Sequence, residues 1–106
     1  MKYVLLASFK ADFKRLTPAE QELFSEAVRK IDAAFSSFRR KGGEKRLPQW
    51  PAALRIKPIA GAPGIWEMTW SFSGPDGRAT FELVDIEGEP AIRWRRIGDH
   101  KIFREP

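Results

Sequence analysis

The chain is 106 residues long and carries a formal net charge of +5 with no cysteine. It can therefore hold one hydrophobic core, but neither a disulfide framework nor a thiolate zinc site. The basic excess favours an anionic partner such as nucleic acid, an acidic protein or a membrane surface, and it also serves simple solubility. Lys10 and Asp12 interrupt the N-terminal apolar run early, and no stretch is long enough to span a membrane. We therefore expect a cytoplasmic protein without membrane contact.

The N-terminal segment predicts a strand followed by a short helix. Aromatic and branched residues at positions 3–7 are typical of a strand. Ser8 can cap a short helix that carries Phe9, Phe13 and Leu16 at spacings of four and three.

Residues 17–20, Thr-Pro-Ala-Glu, predict the start of a longer helix. The Thr17 hydroxyl can accept from the Glu20 amide while the Glu20 carboxylate accepts from the Thr17 amide, and Pro18 suits the first helical position. Apolar residues then recur along one face: Phe24, Val28, Ile31, Phe35 and Phe38. Gly42 and Gly43 are expected to end this helix.

Residues 39–51 predict a basic loop. Five basic residues accompany one acidic residue between positions 39 and 46. Such a loop is usually just solvated, and contact with nucleic acid is the functional alternative. Trp50 lies between Pro48 and Pro51 and is the tryptophan best placed to stack on a base.

From residue 53 onward, apolar and polar residues alternate as in half-buried strands, with turns predicted at residues 74–77 and 88–90. The apolar set is expected to face the helices: Leu54, Ile56, Trp66, Met68, Trp70, Phe72, Phe81, Leu83, Ile92 and Trp94. The alternate set is expected on the open face: Arg55, Lys57, Glu67, Thr69, Arg78, Thr80, Glu82, Arg93 and Arg95. Arg96 falls on the apolar side by strict alternation, so we expect it at a strand end with its head in water.

The order of these elements predicts an α+β fold. An N-terminal strand and two helices precede an antiparallel sheet of three to four strands that packs on the helices. No repeat or boundary divides the sequence, so we expect a single domain of residues 1–106.

The sequence contains no nucleotide-binding, zinc-protease or hydrolase motif, and its single histidine, His100, excludes a multi-histidine metal site. We expect neither a metal nor a cofactor. A cationic face with Glu67, Glu82 and a nearby histidine suits metal-free RNA cleavage, because arginine binds phosphate oxygens while a carboxylate or imidazole moves protons. The alternative is that these charges pair across strands for solubility alone.

The sequence also resembles the RelE/ParE superfamily of bacterial toxins (RelE/HigB-like) over nearly its whole length. The resemblance rests on residues 9–16, the long helix after Thr17, and residues 54–59, 64–68 and 77–81. It ends on residues 95–103, which match the C-terminal glycine, basic residue and aromatic of the superfamily. It implies the toxin of a type II toxin-antitoxin pair, a metal-independent endoribonuclease that cleaves mRNA on the ribosome.

The resemblance implies roles for three catalytic residues. Arg78 would bind the scissile phosphate, His100 would act as general acid, and Glu67 would act as base where some members carry lysine. Contacts to RNA would come from further residues: Lys57, Arg55, Arg93, Arg95, Thr69 and Phe103. Phe103 stands where many members have tyrosine, and it can stack on a base but transfers no proton.

The resemblance also implies a cognate antitoxin as partner, with contact to DNA only through the antitoxin complex. Two other functions stay open. One is a ParE-like inhibitor of DNA gyrase, which does not depend on a C-terminal histidine. The other is a non-catalytic member that binds RNA or a partner, since Phe103 lacks a hydroxyl and Glu67 and Thr69 replace lysines.

Overall fold

Two helices and five strands build the part of the chain that the computed structural model describes, residues 2–40, 50–71, 77–99, 102 and 104–106. In chain order the elements are β1 (Lys2–Leu5), α1 (Ala7–Phe13), α2 (Pro18–Arg40), a short 3-10 helix (Ala52–Leu54), β2 (Lys57–Pro58), β3 (Ile65–Ser71), β4 (Gly77–Ile86) and β5 (Glu89–Gly98).

The strands form one mixed sheet in the order β1-β5-β4-β3-β2. The pairs β2–β3, β3–β4 and β4–β5 are antiparallel, whereas β1 runs parallel to β5. The predicted α+β fold is confirmed, with one or two strands more than expected. Parallel neighbours need a long connection between them. Two helices and three strands lie between β1 and β5 along the chain and provide it.

The start of α2 is the boundary that the sequence predicts best. The Thr17 amide donates to Glu20 Oε1 at 2.9 Å, and the Glu20 amide donates to Thr17 Oγ1 at 3.2 Å. The predicted capping role of Ser8 is wrong, because Leu6 occupies the cap position of α1. The Ser8 hydroxyl instead donates to the carbonyl oxygen of Arg95 at 2.7 Å, so it ties α1 to β5.

Aromatic rings from both helices and the sheet form the core. Phe24 of α2 packs edge-on against Trp94 of β5 with ring centroids 5.0 Å apart, and Trp94 packs against Phe81 of β4 at 5.2 Å. Phe9 of α1 contacts Phe24 at 5.5 Å. The helix-facing prediction is confirmed for the tryptophans, since Trp66 packs against this core and Trp70 and Trp94 are buried in it.

A tyrosine fixes β1 to the long helix. Tyr3 donates its hydroxyl to Asp32 Oδ1 at 2.5 Å. Burial raises the pKa of Tyr3, and the hydrogen bond to Asp32 raises it further. This phenol therefore stays protonated at any physiological pH and acts as a structural donor.

The strand predicted from residue 53 is wrong at its start. Residues 52–54 form the 3-10 helix, which buries Leu54, and Arg55 ends it in the left-handed conformation at φ 49°. Regular pairing begins only at Lys57. Trp50 does not stand clear of the fold, because its ring packs against Trp66 at 6.1 Å and Phe81 at 5.9 Å.

A bulge in β5 changes the face on which Arg96 lies. Phe81 pairs with Trp94 and Thr80 pairs with Arg96, which leaves Arg95 as the extra residue. Arg96 therefore aligns with the open side, and Ile97 takes the next apolar position and is buried. The prediction that Arg96 lies on the apolar side is wrong, because strict alternation cannot anticipate an inserted residue. Its head does reach solvent near the end of β5, with 26% of the side chain exposed.

Several predictions lie outside the described residues. They concern the basic loop at 41–49 with its two glycines, Phe72 and most of the turn at 74–77. The side chains of Phe35 and Phe38 also lie outside. The second predicted turn is confirmed, with Glu87 and Gly88 at positive φ and the Gly88 amide donating to Asp85 Oδ1 at 2.8 Å.

Candidate nucleic-acid interface

The open side of the sheet collects most of the predicted site residues. The strand register places Lys57 opposite Glu67, Glu67 opposite Thr80, and Thr69 opposite Arg78. Glu82 lies opposite Arg93 on the next strand pair. Paired residues share a sheet face, so the predicted convergence of these side chains is observed.

Arg78 and Glu67 lie on neighbouring strands of this face, one residue pair apart. Residues in this diagonal relation lie about 7 to 8 Å apart, with their Cβ atoms somewhat closer. Arg78 is partly exposed and donates from Nη1 to the carbonyl oxygen of Gly77 at 3.3 Å. Glu67 Oε1 lies 3.7 Å from Lys57 Nζ. An arginine and a carboxylate thus border the same strip of the sheet.

Glu82 lies between two arginines. Arg93 donates to Glu82 Oε2 from Nη2 and, at 3.1 Å, from Nε, and Arg95 donates to Oε1. Burial by itself raises the pKa of Glu82, but the hydrogen bonds and charges of Arg93 and Arg95 together outweigh it and lower the pKa. The carboxylate is therefore ionised at neutral pH, and the three groups carry a net charge of +1.

The C-terminal segment crosses the open side and buries part of it. A main-chain oxygen of Pro106 accepts from Thr80 Oγ1 at 2.9 Å and from Arg95 Nε at 3.1 Å. The carbonyl oxygen of Glu105 accepts from Arg96 at 3.1 Å. Thr80 is consequently 0% exposed. Its predicted exposure on the open face is wrong, because alternation assigns a face but says nothing of what covers it.

Thr69 is also buried, at 4% exposure, although the register places it on the open side. The expectation that it contacts RNA stays a prediction, and the described conformation leaves its side chain little exposed. Its side chain is shorter than those of Glu67 and Arg78 beside it, so the longer neighbours can reach past it.

Arg55 lies apart from the predicted row of cations. It is exposed, but its left-handed turn precedes β2, and no strand pairing places it opposite Glu67 or Arg78. His100 and Phe103 lie outside the described residues. In the sequence, His100 stands two positions after Gly98, and Gly98 pairs with Arg78.

Two solved structures have a fold similar to this one. A YoeB/ParE toxin from Agrobacterium tumefaciens is 18% identical, with a TM-score of 0.51 over 94% of this chain and 99% of that chain. YafQ from E. coli strain BL21(DE3) is 16% identical, with a TM-score of 0.51 over 96% of each chain. No protein-family model and no curated protein matches the sequence.

The chain has the fold of the Agrobacterium tumefaciens toxin and of YafQ. At such low identity the likeness is one of fold, and it covers nearly the whole of each chain. The predicted resemblance to toxins of this kind is therefore confirmed at the level of the fold.

One ion pair that the sequence does not predict connects α1 to the edge of the open side. Asp12 is 8% exposed and accepts from Arg96 Nε at 2.6 Å, from Arg96 Nη2 at 3.2 Å and from the Ile97 amide at 3.2 Å. Since Arg96 also binds the carbonyl oxygen of Glu105, this pair links α1, β5 and the C-terminal segment. The residues are 84 positions apart, so no local pattern could have paired them.

The other side of the molecule carries an apolar groove of about 650 Å³ between α1, α2 and β1. Leu5, Phe13 and Val28 are among its walls, with Lys10 and Lys14 also lining it. Leu5 is 43% exposed and adds apolar surface to this groove.

The described residues contain no group of three or more acidic or histidine side chains that could hold a metal ion. None of the helices in these parts of the chain is long and apolar enough to cross a bilayer.

Proposed function

We propose that residues 1–106 form the toxin of a type II toxin-antitoxin pair, a metal-independent endoribonuclease that cleaves mRNA at the ribosome in the cytoplasm. The observation that carries the proposal is that Arg78 and Glu67 lie in a diagonal relation on the open side of a sheet whose fold matches that of a toxin structure. The formal net charge of +5 supports an anionic substrate.

Cleavage needs three functions, and the chain offers a residue for each. Glu67 takes the proton of a 2′-hydroxyl, whose oxygen then forms a bond to phosphorus. Arg78 stabilises the charge that grows on the phosphate oxygens, because its planar guanidinium donates to two of them and stays charged. His100 gives a proton to the 5′-oxygen as the bond between that oxygen and phosphorus breaks.

Further cations hold neighbouring phosphates rather than the reacting one. Lys57 has an exposed side chain beside Glu67, and Arg93 and Arg95 lie two strands away around Glu82. Arg55 extends the basic surface beyond β2, and Phe103 supplies a ring for stacking on a base. Thr69 is left out of this set because it is buried.

The proposal is tested by induced expression in bacteria with mapping of transcript ends, for the wild type and Arg78→Ala together. We expect the wild type to arrest growth and to leave cuts in translated messages, and Arg78→Ala to relieve both. Arg29→Ala is the matched control, because Arg29 is an exposed arginine of α2 on the helix side and pairs only locally with Glu22.

Two results would contradict the proposal. Intact transcripts in growing cells that contain soluble wild-type protein would exclude the nuclease. Growth arrest with intact transcripts would instead favour the gyrase inhibitor, which inhibition of DNA supercoiling by the purified protein identifies directly.

The antitoxin partner is proposed to occupy the apolar groove beside β1. Lys10 and Lys14 favour a segment with acidic residues, while Leu5 and Phe13 favour an apolar helix face or strand. Leu5→Glu is expected to abolish rescue by the product of the neighbouring antitoxin gene and to leave toxicity unchanged. Rescue that persists with Leu5→Glu would place the antitoxin elsewhere. Wherever the antitoxin binds, we expect contact with DNA only through the antitoxin complex.

A further inference from the structure

A carboxylate occupies one edge of the Arg93 guanidinium on the open side. Arg93 donates from Nε at 3.1 Å and from Nη2 to the same oxygen, Glu82 Oε2. These two nitrogens form an edge with which a guanidinium can also bind two oxygens of a phosphate. While both donate to Glu82, Arg93 cannot hold a phosphate through this edge. A phosphate contact of Arg93 along this edge therefore requires the Glu82 carboxylate to move.

Glu82 has a second cation to which its carboxylate can turn. It lies opposite Arg93 in the strand register, and its other oxygen, Oε1, accepts from Arg95 Nη1. Arg95 is the extra residue of the β5 bulge, so the bulge places a second arginine within reach of Glu82. A carboxylate that leaves Arg93 therefore keeps a charged donor, and the displacement leaves no buried acceptor unpaired.

The exposure of the three side chains favours Arg93 as the point at which a ligand enters. The Arg93 side chain is 40% exposed, that of Arg95 31% and that of Glu82 18%. An ion pair with this access to water contributes little net free energy, because water screens the attraction between its charges. A phosphate that offers two oxygens to the same edge can therefore compete with the carboxylate.

We propose that Glu82 is an internal competitor for phosphate at Arg93. A phosphate of single-stranded RNA binds the Nε and Nη2 edge of Arg93 only after the Glu82 carboxylate has turned to Arg95. The inference rests on the proposed function for the identity of the ligand. It goes beyond that function because it assigns Glu82 the role of setting the affinity of this surface for phosphate.

The test is a double-mutant cycle of Glu82→Gln and Arg93→Ala in the full chain. Glutamine keeps the shape of the side chain but removes the charge that competes with phosphate. Binding is measured by fluorescence anisotropy with a labelled RNA oligonucleotide whose 2′-hydroxyls are methylated, so that cleavage does not interfere. Calorimetry with inorganic tripolyphosphate measures binding of the anion alone.

We expect Glu82→Gln to bind both probes about fivefold more tightly, since a partly exposed ion pair is worth up to roughly that factor. Arg93→Ala should weaken binding by less than about twofold in the wild type, where Glu82 occupies the edge, and by about fivefold in the Glu82→Gln chain. This difference is the coupling that the competition predicts.

Asp85→Asn is the matched control for the loss of one negative charge. Asp85 is an exposed carboxylate of the same strand, and asparagine keeps an oxygen that can accept from the Gly88 amide. We expect this variant to raise the affinity for either probe by less than about twofold, because solvent and salt screen an exposed charge that is not in contact with the ligand.

Each outcome decides a separate point. A gain with both probes that Arg93→Ala removes supports the competition. A gain that Asp85→Asn matches, or that persists with Arg93→Ala, is a general charge effect and overturns it. Weaker binding by Glu82→Gln also overturns it, because Glu82 would then hold the arginines in place for the ligand. A gain with tripolyphosphate alone supports the competition and contradicts RNA as the ligand, whereas mapping of transcripts with Arg78→Ala tests cleavage separately.

Urea unfolding checks that each variant is folded. If Glu82→Gln does not fold, nuclear magnetic resonance of the wild type carries the test. We expect added tripolyphosphate to shift the signals of the Arg93 Nε–H group and of the Glu82 side-chain carboxylate carbon together. A carboxylate signal that stays unchanged while the Arg93 signal reaches saturation overturns the proposal.

Discussion

The two sides of the same sheet satisfy their buried groups in different ways. On the helix side, Phe81, Ile92 and Trp94 are almost fully buried among other apolar side chains. On the open side, Thr80 is equally buried, yet it donates to a main-chain oxygen of Pro106, and Glu82 accepts from two arginines.

The difference shows how each side of the sheet responds to amino-acid substitution. An apolar core tolerates other side chains of similar volume, because packing is not directional. The open side depends on specific donors and acceptors, and a lost partner leaves a polar group unpaired. We therefore expect substitutions that leave a cavity on the helix side to lower stability, and substitutions of exposed side chains on the open side to change binding more than stability.

The largest effect is expected from Phe81→Ala on the helix side. Phe81 is 0% exposed and contacts Trp94, Trp66 and Trp50. We expect a loss of about 3 to 5 kcal/mol in the free energy of unfolding. Urea denaturation measures it. Lys57→Ala on the open side, with an exposed side chain, should change the same quantity by less than about 0.5 kcal/mol. Equal losses for the two variants would contradict the comparison.

The next effect concerns the ion pair at the border of the two sides. Asp12→Ala removes three accepted hydrogen bonds and leaves Arg96 without its carboxylate. We expect a loss of about 2 to 3 kcal/mol, reduced from the cost of a fully buried pair because the Arg96 head reaches solvent. Glu22→Ala breaks the exposed pair with Arg29, and thermal unfolding should register about 0.5 kcal/mol or less.

Gly77→Ala tests how tightly the helix side is packed where β3 and β4 are joined. A Cβ atom at Gly77 would lie 2.4 Å from Cε2 of Trp70, so the indole or the strand must shift. We expect a loss of about 1 to 2 kcal/mol. The loss should shrink when Trp70→Leu is already present. A double-mutant cycle in guanidinium chloride measures this coupling, and additive losses would show that the loss does not arise from the contact with the indole.

The smallest effect is expected from the titration of Glu82 on the open side. Its pKa is lowered from the ordinary value of 4.5 in the folded chain. Protonation of Glu82 therefore favours the unfolded state. The stabilisation that the ionised Glu82 carboxylate contributes is complete above pH 4.5, and it is lost as the pH falls through the lower pKa of the folded chain. The difference in unfolding free energy between the wild type and Glu82→Gln should be constant at neutral pH and shrink in acid. A difference that grows on acidification would show the opposite sign of the shift.

Much of the fold could be predicted because its signals are local. The Thr17–Glu20 capping box and the apolar stripe of α2 act within a few residues, and alternation in β3 and β4 assigns their faces correctly. The bulge at Arg95 and the left-handed turn at Arg55 could not be predicted, because both depend on how β5 and the 3-10 helix meet their neighbours. The sequence also predicted that Arg78 and Glu67 share a face, because side chains alternate between the two faces along each strand.

By itself, the sequence determined which side chains are basic, which strands alternate and which residues share a face. Those properties follow from short-range periodicity and from chemistry that each residue carries anywhere. Only the tertiary structure decided that Glu82 holds Arg93 and Arg95, that Asp12 meets Arg96, and that the C-terminal segment covers Thr80. These contacts join residues 11 to 84 positions apart. These residues meet only once the sheet and α1 have assembled, and no periodic pattern along the chain predicts contacts over such separations in sequence.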